Sequence, residues 1–304
     1  MAEPRQHVKV HVPATAANMG AGFDCMGIAL DLWNTVEAEV NDKTVILIEG
    51  EGKDELPRYE ANLIYRSCAH FFERTGRTVP KLRITCYNAI PLKRGLGSSA
   101  AAIAGGLSTA NLLTGAPLNR QLLLNLALEI EPYPDNVAPT IHGGCVIVLN
   151  DGKNWFTRPI PLPSELRAVV FIPRAEIATD YARAILPKVV PRKDAIFNLG
   201  RAALMVNALM SGRLEDLRVA TQDMLHQPAR SKLWPPMMPV IEAAMEAGAL
   251  GAFLAGAGPT ILALVNDKDE AIADAMLQTA RRMNAQGETR VLQPTFQGLH
   301  EVAP

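Results

Sequence analysis

The sequence predicts two α+β domains. This prediction depends on the pattern of the apolar residues and on a change in that pattern partway along the chain. Strand patterns, in which apolar and polar residues alternate, and helix patterns, with apolar residues every three to four positions, occur in both halves. The pattern changes at the Pro-Leu-Pro segment of residues 161–163, after which predicted helices are more frequent. A chain of 304 residues has room for two modest domains, each with its own core. We therefore predict domains at residues 1–163 and 164–304.

The first half begins with strands and then alternates helices with strands. Val8, Val10 and Val12 alternate with polar residues, which predicts a strand, and strand-like sequence continues to about residue 48. The next predicted elements are a helix over 62–74, a strand over 82–87, helices over 98–113 and 119–131, and a strand over 145–149.

The second half is richer in helix. A strand over residues 166–172 opens it. Helices are predicted over 179–186, 194–210, 214–225, 239–247 and 269–284, with strands over 250–254, 260–265 and 289–294 between or after them.

Composition excludes several classes of protein. The chain has 30 basic and 31 acidic residues, so nothing indicates a nucleic-acid partner or a membrane surface. No apolar run approaches the ~18 residues of a membrane span, and the N-terminus lacks the apolar segment of a signal peptide. The four cysteines are scattered, without a Cys-x-x-Cys pair. We expect reduced structural thiols in a cytoplasmic protein.

The most informative segment is residues 91–102, which place a glycine loop and two serines between a strand and a helix. Gly95 and Gly97 let the backbone approach a ligand closely, and the free amides of the first helical turn favour an anion. The spacing is neither that of a P-loop nor that of a dinucleotide-binding fingerprint. A phosphate-binding loop is one interpretation, and a tight turn with a serine cap is the other.

Two further motifs favour the phosphate-binding interpretation. Residues 13–24 (PATAANMGAGFD) follow a strand, and residues 251–260 (GAFLAGAGPT) form a glycine loop between two apolar runs. In order and spacing, the three motifs resemble those of the GHMP small-molecule kinases. Two shorter segments are similar to motifs of the homoserine kinase subfamily, residues 134–139 (PDNVAP) and 226–230 (HQPAR).

The resemblance implies a fold, a reaction and its cofactors. The implied fold has an N-terminal ribosomal-protein-S5-domain-2-like domain and a C-terminal ferredoxin-like α/β sandwich, with the active site between them. The implied reaction is the ATP-dependent phosphorylation of L-homoserine to O-phospho-L-homoserine in threonine biosynthesis, with Mg²⁺. A homodimer is also implied, although nothing in the residue pattern indicates one. Against this stand two alternatives, a kinase of another small alcohol (mevalonate-type or sugar) and a non-catalytic metabolite-binding protein.

The nucleotide site is expected at the glycine loops. Lys93 and Arg94 face either the phosphates or solvent, and Asn62 lies either beside the adenine or at a helix N-cap. The expected ATP-binding residues are Asn62, Pro91, Leu92, Lys93, Arg94, Gly95, Leu96, Gly97, Ser98, Ser99, Ala100, Ala101, Gly256 and Gly258. For Mg²⁺, which prefers oxygen ligands, we expect Ser98 and a glutamate, and the resemblance favours Glu129 over Glu131.

The acceptor site is predicted from the charges of a zwitterion. Arginine binds carboxylates in a bidentate way, and Arg183 and Arg230 match arginines of homoserine kinases. Asp24 is the expected partner of the ammonium group, and Thr179 lies one helical turn before Arg183. The expected substrate-binding residues are Asn18, Asp24, Tyr133, Asn136, Thr179, Arg183 and Arg230.

No catalytic base is evident in the sequence. The family's aspartate region corresponds here to residues 134–136 (PDN), and an asparagine amide does not accept a proton at neutral pH. We therefore expect catalysis by positioning and electrostatics, with Asn18, Asn136 and Arg183 as the catalytic residues and Asp135 as a weaker candidate for a base.

The chain departs from the family's pattern at three positions. Tyr133 stands where a substrate-contacting histidine is usual, which puts the amino-acid specificity most in question. Ala255 replaces a serine, which removes a hydroxyl but leaves the glycines that shape the loop. Ala21 replaces a proline, and we expect this change to be tolerated.

Overall fold

The computed structural model describes residues 3–303 and has two β-sheets with helices packed against them. The first sheet has seven strands. They are β1 (His7–Ala17), β2 (Met26–Val40), β3 (Val45–Gly50), β4 (Leu82–Asn88), β5 (Cys145–Asn150), β6 (Trp155–Ile160) and, from the far end of the chain, β11 (His300–Glu301). Their order is β11-β1-β2-β4-β3, with β5 pairing with β2 and β6.

Four helices belong to this half, and α2 is the central one. These helices are α1 (Leu63–Arg74), α2 (Ser98–Leu113), α3 (Arg120–Ile130) and α4 (Pro134–His142). Thirteen of the sixteen residues of α2 are buried, because small alanines and glycines let α1, α3, α4 and the first sheet approach it closely.

The second sheet contains β7 (Arg167–Pro173), β8 (Gly251–Leu254), β9 (Ile261–Val265) and β10 (Gly287–Leu292). Their antiparallel order is β10-β7-β9-β8, and this order confirms the ferredoxin-like sandwich. Two helices pack on this sheet, α9 (Met237–Glu246) and α10 (Asp269–Arg282). The remaining helices of this half are α5 (Thr179–Ala184), α6 (Arg192–Ser211), α7 (Leu217–Ala220) and α8 (Gln227–Arg230).

The chain passes from the first sheet to the second between β6 and β7. It returns at its end, because His11 pairs with His300 and Val10 with Glu301 across β1 and β11. Most predicted elements are found within two or three residues of their expected bounds. No helix within residues 3–303 is long and apolar enough to cross a membrane.

The helix predicted over 214–225 is wrong beyond its first turns. After a 3₁₀ turn at Leu214–Asp216 and the short α7, the Asp223 carboxylate accepts the backbone N–H groups of Leu225, His226 and Gln227. This side-chain cap replaces the helical hydrogen bonds with a turn. That turn leads into α8 and positions Arg230.

Four elements were not predicted from the sequence: α4, β6, the short α8 and the two-residue β11. Helix α4 carries Pro134 in its first turn and Pro139 inside it, and both prolines argue against a helix from pattern alone. Strand β6 lacks clear alternation, because only its last residue, Ile160, is buried.

Candidate functional site

The N-terminus of α2 is an exposed set of backbone donors. Gly97, the N-cap, has φ +72° in the left-handed region, and no side chain caps the helix. A Cβ at Gly97 would lie 2.1 Å from Thr15 Oγ1, so only glycine fits there. The first-turn amides therefore have no side-chain acceptor and are free for an anionic ligand.

The three motifs of the sequence meet at this point. Gly95 has φ +83°, and a Cβ there would lie 2.2 Å from the Ala255 carbonyl oxygen. The Gly256 N–H donates to the Ala17 carbonyl at 3.1 Å, and the Thr260 N–H donates to the Arg94 carbonyl at 3.1 Å. The 13–24 loop, the 91–102 loop and the 251–260 loop thus form one wall.

A polar cavity of about 130 Å³ opens beside that wall. It brings together six of the fourteen expected ATP-binding residues and six of the seven expected substrate-binding residues, all but Asp24. Its lining comprises Asn18, Lys93, Gly95, Gly97, Ser98, Ser99, Glu131, Tyr133, Asp135, Asn136, Ile177, Thr179, Arg183, Arg230, Gly256 and Ala257.

A second, mainly apolar cavity of about 190 Å³ adjoins the first and shares Lys93, Ser98 and Ser99 with it. Asn62 lines it and also caps α1, because its Oδ1 accepts the Ile64 N–H at 2.9 Å. Both interpretations of Asn62 therefore agree with its position. Leu92, an expected ATP-binding residue, and Ala102 of the same 91–102 segment also line this cavity. Its other walls come from separate elements: Asn34, Ile48, Leu56, Leu63, Ile64, Cys86 and Asn88.

The two basic residues before the glycine loop differ in position. Lys93 lines both cavities, and its Nζ lies 3.1 Å from Glu176 Oε2. The Arg94 guanidinium instead donates to the carbonyls of Pro173 and Leu92 and pairs with Glu176. Arg94 thus ties the loop to the end of β7 and is outside the lining of either cavity.

Four other expected ATP-binding residues have their side chains in the core and not in a cavity. They are Pro91, Leu96, Ala100 and Ala101. Any contact they make with a nucleotide is through the backbone. Gly258 shapes the third loop, since its N–H donates to the Ala255 carbonyl at 2.9 Å.

The two candidate glutamates lie on different sides of α3. Glu129 lies on the outer side of α3, where its carboxylate pairs with His70 and Arg74 at 2.9 Å each. Glu131, the C-cap of α3, lines the polar cavity and accepts the Ser99 hydroxyl at 3.0 Å. Burial raises the pKa of Glu131, while the Ser99 hydrogen bond and Arg183 oppose that rise. The two glutamates differ in position because the chain leaves the helical conformation at Glu131, which turns the Glu131 side chain inward.

Arg183 is held by a carboxylate and two aromatic rings. Its guanidinium forms a bidentate pair with Asp24, at 3.1 and 2.7 Å, so these two expected substrate ligands bind each other. The guanidinium lies 3.9 Å from the centroid of the Tyr133 ring, and its buried Nε has no partner among the described residues. Tyr133 therefore supports Arg183 by a cation–π contact.

Arg230 is almost fully buried, at 2% exposure, yet lines the same cavity. It donates to the Gly256 carbonyl at 2.9 Å and to His226 Nδ1 at 3.2 Å. Burial and the nearby Arg183 lower the pKa of Arg230 to about 10, so it stays charged at neutral pH. Burial lowers the pKa of His226 to about 4, and the neutral ring accepts from Arg230 while its Nε2–H donates to the Gly20 carbonyl.

Phe23 is a site residue that sequence reasoning missed. Its ring stacks on His226 at 5.1 Å and lies 5.9 Å from the Arg183 guanidinium and 5.6 Å from that of Arg230. The ring therefore lies close to both cations. Its place inside the 13–24 motif was the available signal.

The two expected catalytic asparagines also organise the loops. The Asn18 side chain donates to the Gly256 carbonyl at 2.9 Å and accepts the Asp24 N–H at 3.1 Å. Asn136 accepts the Thr15 hydroxyl at 2.9 Å through Oδ1. Both line the polar cavity, as does Thr179, the first residue of α5.

Asp135 is the most strongly perturbed carboxyl of the cavity. It is 2% exposed, and its Oδ1 has no hydrogen-bond partner within residues 3–303. Burial, helped by the nearby charge of Asp24, raises the pKa of Asp135 to about 7, while Arg183 opposes the rise. A buried acid with this pKa, next to a phosphate-binding loop, is suited to proton transfer.

The fold and the site together define an ATP-dependent small-molecule kinase. Residues 62–144 match the GHMP kinases N terminal domain, and residues 205–281 match the GHMP kinases C terminal domain. The chain belongs to the GHMP kinases, and ATP is its co-substrate.

Within this family, the chain is similar to homoserine kinases. It is 45% identical to the homoserine kinase of Caldicellulosiruptor bescii over 263 residues, 86% of each chain. It is 44% identical to a homoserine kinase of Thermus thermophilus over 284 residues, 93% of this chain and 95% of the other. The solved homoserine kinase of Cytophaga hutchinsonii superposes with a TM-score of 0.89 at 31% identity, covering 99% of each chain.

Proposed function

We propose that this protein transfers the γ-phosphoryl group of ATP to the hydroxyl of L-homoserine, forming O-phospho-L-homoserine. The observation that carries the proposal is the charge arrangement of the polar cavity. Two guanidinium groups (Arg183 and Arg230) and the Asp135 carboxyl line this cavity beside the first-turn amides of α2. Asp24 does not line the cavity, but its carboxylate is joined to it through the bidentate pair with Arg183. A zwitterionic alcohol satisfies both signs of charge, whereas mevalonate and sugars satisfy at most one.

The nucleotide occupies the two adjoining cavities. Its phosphates bind the first-turn amides of α2 and the side chains of Ser98 and Ser99, which line both cavities. The adenine enters the apolar cavity past Asn62. Lys93 lines both cavities and its charge favours the phosphates.

Mg²⁺ fits the corner formed by Ser98, Ser99 and Glu131. Residues 3–303 contain no group of three or more His, Cys, Asp and Glu that could hold a metal by itself. Mg²⁺ does not need one, because it is commonly bound by one or two carboxylates together with substrate phosphates and water. The carboxylate of Glu131, held at 3.0 Å by Ser99, supplies the protein's share. When bound, the metal offsets negative charge on the phosphates.

The acceptor is positioned by residues of both domains. Arg230 and Arg183 bind the carboxylate of homoserine, and Asp24 shares its charge between Arg183 and the ammonium group. Asn18 and Asn136 orient the hydroxyl, and Thr179 lines the wall on the α5 side. Positioning accounts for much of the catalysis, because a loose phosphoryl-transfer transition state needs alignment more than covalent help.

Asp135 accepts the proton of the hydroxyl in this mechanism. The structure favours it more than the sequence did, because its Oδ1 is buried without a partner among the described residues and its pKa is raised to about 7. Asp135→Asn is therefore expected to lower kcat by about 10²- to 10⁴-fold, the usual contribution of a general base. The wild-type kcat/KM should fall on the acid side of pH 7, and the variant should lose that fall. Turnover within tenfold of wild type would leave positioning by Asn18, Asn136 and Arg183 as the whole mechanism.

The same substitution is expected to change stability in a pH-dependent way. Because the pKa of Asp135 is raised in the folded state, from 3.8 to about 7, the folded protein keeps a proton that the unfolded chain loses in this window. The free energy of unfolding of the wild type therefore falls as pH rises from about 4 to 7. Asp135→Asn should show a higher Tm than wild type at pH 8 and a similar Tm at pH 4. Equal differences at both pH values would contradict the raised pKa.

The acceptor is tested by measuring ADP release from Mg-ATP with L-homoserine, L-serine, L-threonine, mevalonate and galactose. Turnover with L-homoserine at least a hundredfold above the other four supports the proposal. Mevalonate or galactose as the best substrate would keep the kinase and replace the acceptor. ATP binding without turnover on any of the five would support a metabolite-binding protein.

The cysteines support a cytoplasmic location. All four are free, and burial raises the pKa of the Cys86 and Cys145 thiols to about 12. Inert, unpaired thiols are typical of a reducing compartment.

A further inference from the structure

Lys93 lies between the two cavities of the site. Among the described residues it is the one cation that lines both the polar cavity and the apolar cavity. The two arginines of the polar cavity have other partners, since Arg183 pairs with Asp24 and Arg230 donates to a backbone carbonyl. Lys93 is therefore the positive side chain that is best placed for the phosphates of a nucleotide.

Two carboxylates from other segments hold the Lys93 ammonium group. Its Nζ lies 3.1 Å from Glu176 Oε2 and 3.7 Å from Glu55 Oε2. Glu176 belongs to the segment 174–178 between β7 and α5, and Glu55 belongs to the loop between β3 and α1. Both glutamates lie outside the linings of the two cavities. The charge of Lys93 is therefore paired with protein carboxylates beside the space that a nucleotide would fill.

Glu176 is the better ordered of the two carboxylates, because two cations hold it. Its Oε1 lies 3.1 Å from Arg94 Nη1, while its Oε2 accepts from Lys93. The hydrogen bonds from Arg94 and then from Lys93 lower the pKa of Glu176, so the group is an anion at neutral pH. The Glu176 side chain is 39% exposed and the Glu55 side chain 57%, so solvent screens Glu55 more.

The segment that carries Glu176 has other ties to the nucleotide loop. The Ile177 N–H donates to the Lys93 carbonyl at 3.2 Å, and Arg94 Nε donates to the Pro173 carbonyl at 2.7 Å. Lys93 has φ +53°, a left-handed conformation that is uncommon outside glycine, so its backbone position is closely specified. None of these contacts uses the Glu176 carboxylate. They hold the start of α5 against the loop whether or not Glu176 is charged.

A nucleotide in the polar cavity brings more negative charge to Lys93. An ammonium group has three donors, but a carboxylate and phosphate oxygens that share it lie close together and repel each other. The phosphates must therefore displace Glu176 or bind a lysine whose charge is already partly neutralised. In both cases Glu176 opposes the binding of phosphates and favours their departure.

We propose that Glu176 is a positioning residue that competes with the nucleotide phosphates for Lys93, which weakens nucleotide binding and speeds the release of ADP. Glu176 acts through Lys93 and does not itself touch the nucleotide. The inference rests on the proposed function, which places the phosphates beside Lys93. ADP has to leave before the next turnover, and an anion that takes back Lys93 assists its departure.

The first test is the dissociation constants of ATP, ADP and adenosine, measured by calorimetry on the full-length protein with Mg²⁺ and without acceptor. Glu176→Gln keeps the side-chain shape and removes its charge. ATP should bind about three- to tenfold more tightly, because an exposed ion pair and a like-charge repulsion are both removed. ADP should gain less, and adenosine, which has no phosphate, should bind as in wild type. ATP binding that is unchanged or weaker would overturn the proposal, since loss of a merely structural contact does not tighten binding.

Lys93→Met distinguishes a failure of the inference from a failure of the phosphate placement. It should weaken ATP binding and leave adenosine binding unchanged, and adding Glu176→Gln to it should have no further effect. ATP binding as tight as in wild type would overturn both the placement and the competition. Weaker binding by Lys93→Met without tighter binding by Glu176→Gln would overturn the competition alone.

Glu165→Gln is the matched control for charge. Glu165 is exposed and outside both cavities, and its substitution changes the net charge of the chain by the same amount. We expect unchanged dissociation constants for all three ligands. Tighter ATP binding equal to that of Glu176→Gln would attribute the effect to net charge and would overturn the proposal.

The second test is the rate at which a fluorescent ADP analogue dissociates, measured by stopped-flow displacement with excess ATP. Glu176→Gln should release the analogue more slowly than wild type. Its KM for L-homoserine should change little, because Ile177 and Arg94 still tie the start of α5 to the loop. Release as fast as in wild type, or a raised KM for L-homoserine with normal release, would overturn the competition and leave Glu176 a structural contact.

Discussion

Glu131→Gln is expected to lower kcat by about 10²- to 10³-fold, because it removes the carboxylate beside the phosphate-binding loop. Glu131 is the acidic residue that accepts the Ser99 hydroxyl, at 3.0 Å, at the start of α2. The fall corresponds to about 2.7–4 kcal/mol of lost transition-state stabilisation, in the range expected for charge stabilisation by a bound cation. The measurement is steady-state ADP release at saturating ATP and L-homoserine over a range of Mg²⁺ concentrations.

Glu129→Gln is the matched control for this prediction. Glu129 is two residues away in the chain, but it pairs with His70 and Arg74 on the outer side of α3. We expect nearly normal turnover from Glu129→Gln, and an unchanged Mg²⁺ dependence. The Tm of Glu131→Gln should not fall much, because glutamine has nearly the same shape and keeps a side-chain oxygen that accepts the Ser99 hydroxyl. Loss of turnover in Glu129→Gln with normal turnover in Glu131→Gln would contradict the assignment.

Arg183→Ala is expected to weaken recognition of homoserine by about 2–5 kcal/mol, the cost of leaving the substrate carboxylate without its partner once the cavity encloses it. At about 1.4 kcal/mol for each tenfold change, KM for L-homoserine should rise by about 30- to 5,000-fold. Arg183 is more suitable for this test than Arg230, because Arg230 also holds the Gly256 carbonyl and His226. The measurement is KM for both substrates.

The KM for ATP should change little in Arg183→Ala, which distinguishes a lost acceptor contact from a damaged fold. Arg201→Ala is the control, because Arg201 stacks on Phe197 of α6 outside both cavities of the site. An unchanged KM for L-homoserine in Arg183→Ala would remove Arg183 from the acceptor site. A matched rise in both KM values would indicate that the pair with Asp24 is structural only.

The parts of the fold that depend on local sequence were predictable. The glycine positions of the 91–102 loop specify a left-handed turn and a helix start whatever the surroundings, and the structure has both at Gly97. Helices with strong apolar periodicity, such as α1 and α10, were also found close to their predicted bounds. The assembly of three distant loops into one wall followed from the resemblance and not from periodicity.

Features that depend on tertiary contacts were not predictable. The choice between Glu129 and Glu131 depends on where α3 ends, and one residue there reverses the direction of the side chain. The bidentate pair of Asp24 with Arg183 joins residues 159 positions apart. The break in the predicted 214–225 helix depends on Asp223, whose capping carboxylate is also held by Asn198 of α6.

The walls of the apolar cavity also depend on tertiary contacts and were therefore not predictable. Asn34, Ile48 and Cys86 come from three different strands, and Ile48 and Cys86 have the pattern of ordinary core residues. Asp135 was visible in the sequence, but its raised pKa results from burial, which only the folded structure provides.

The central claim is that the acceptor site recognises a zwitterion through charges of both signs. The most direct measurement is kcat/KM for L-homoserine, for 4-hydroxybutyrate, which lacks the ammonium group, and for 3-aminopropan-1-ol, which lacks the carboxylate. We predict a loss of at least a hundredfold for each analogue, about 2.7 kcal/mol for each missing charge. An analogue that reacts as well as L-homoserine would show that the corresponding charge is not recognised and would contradict the zwitterion site.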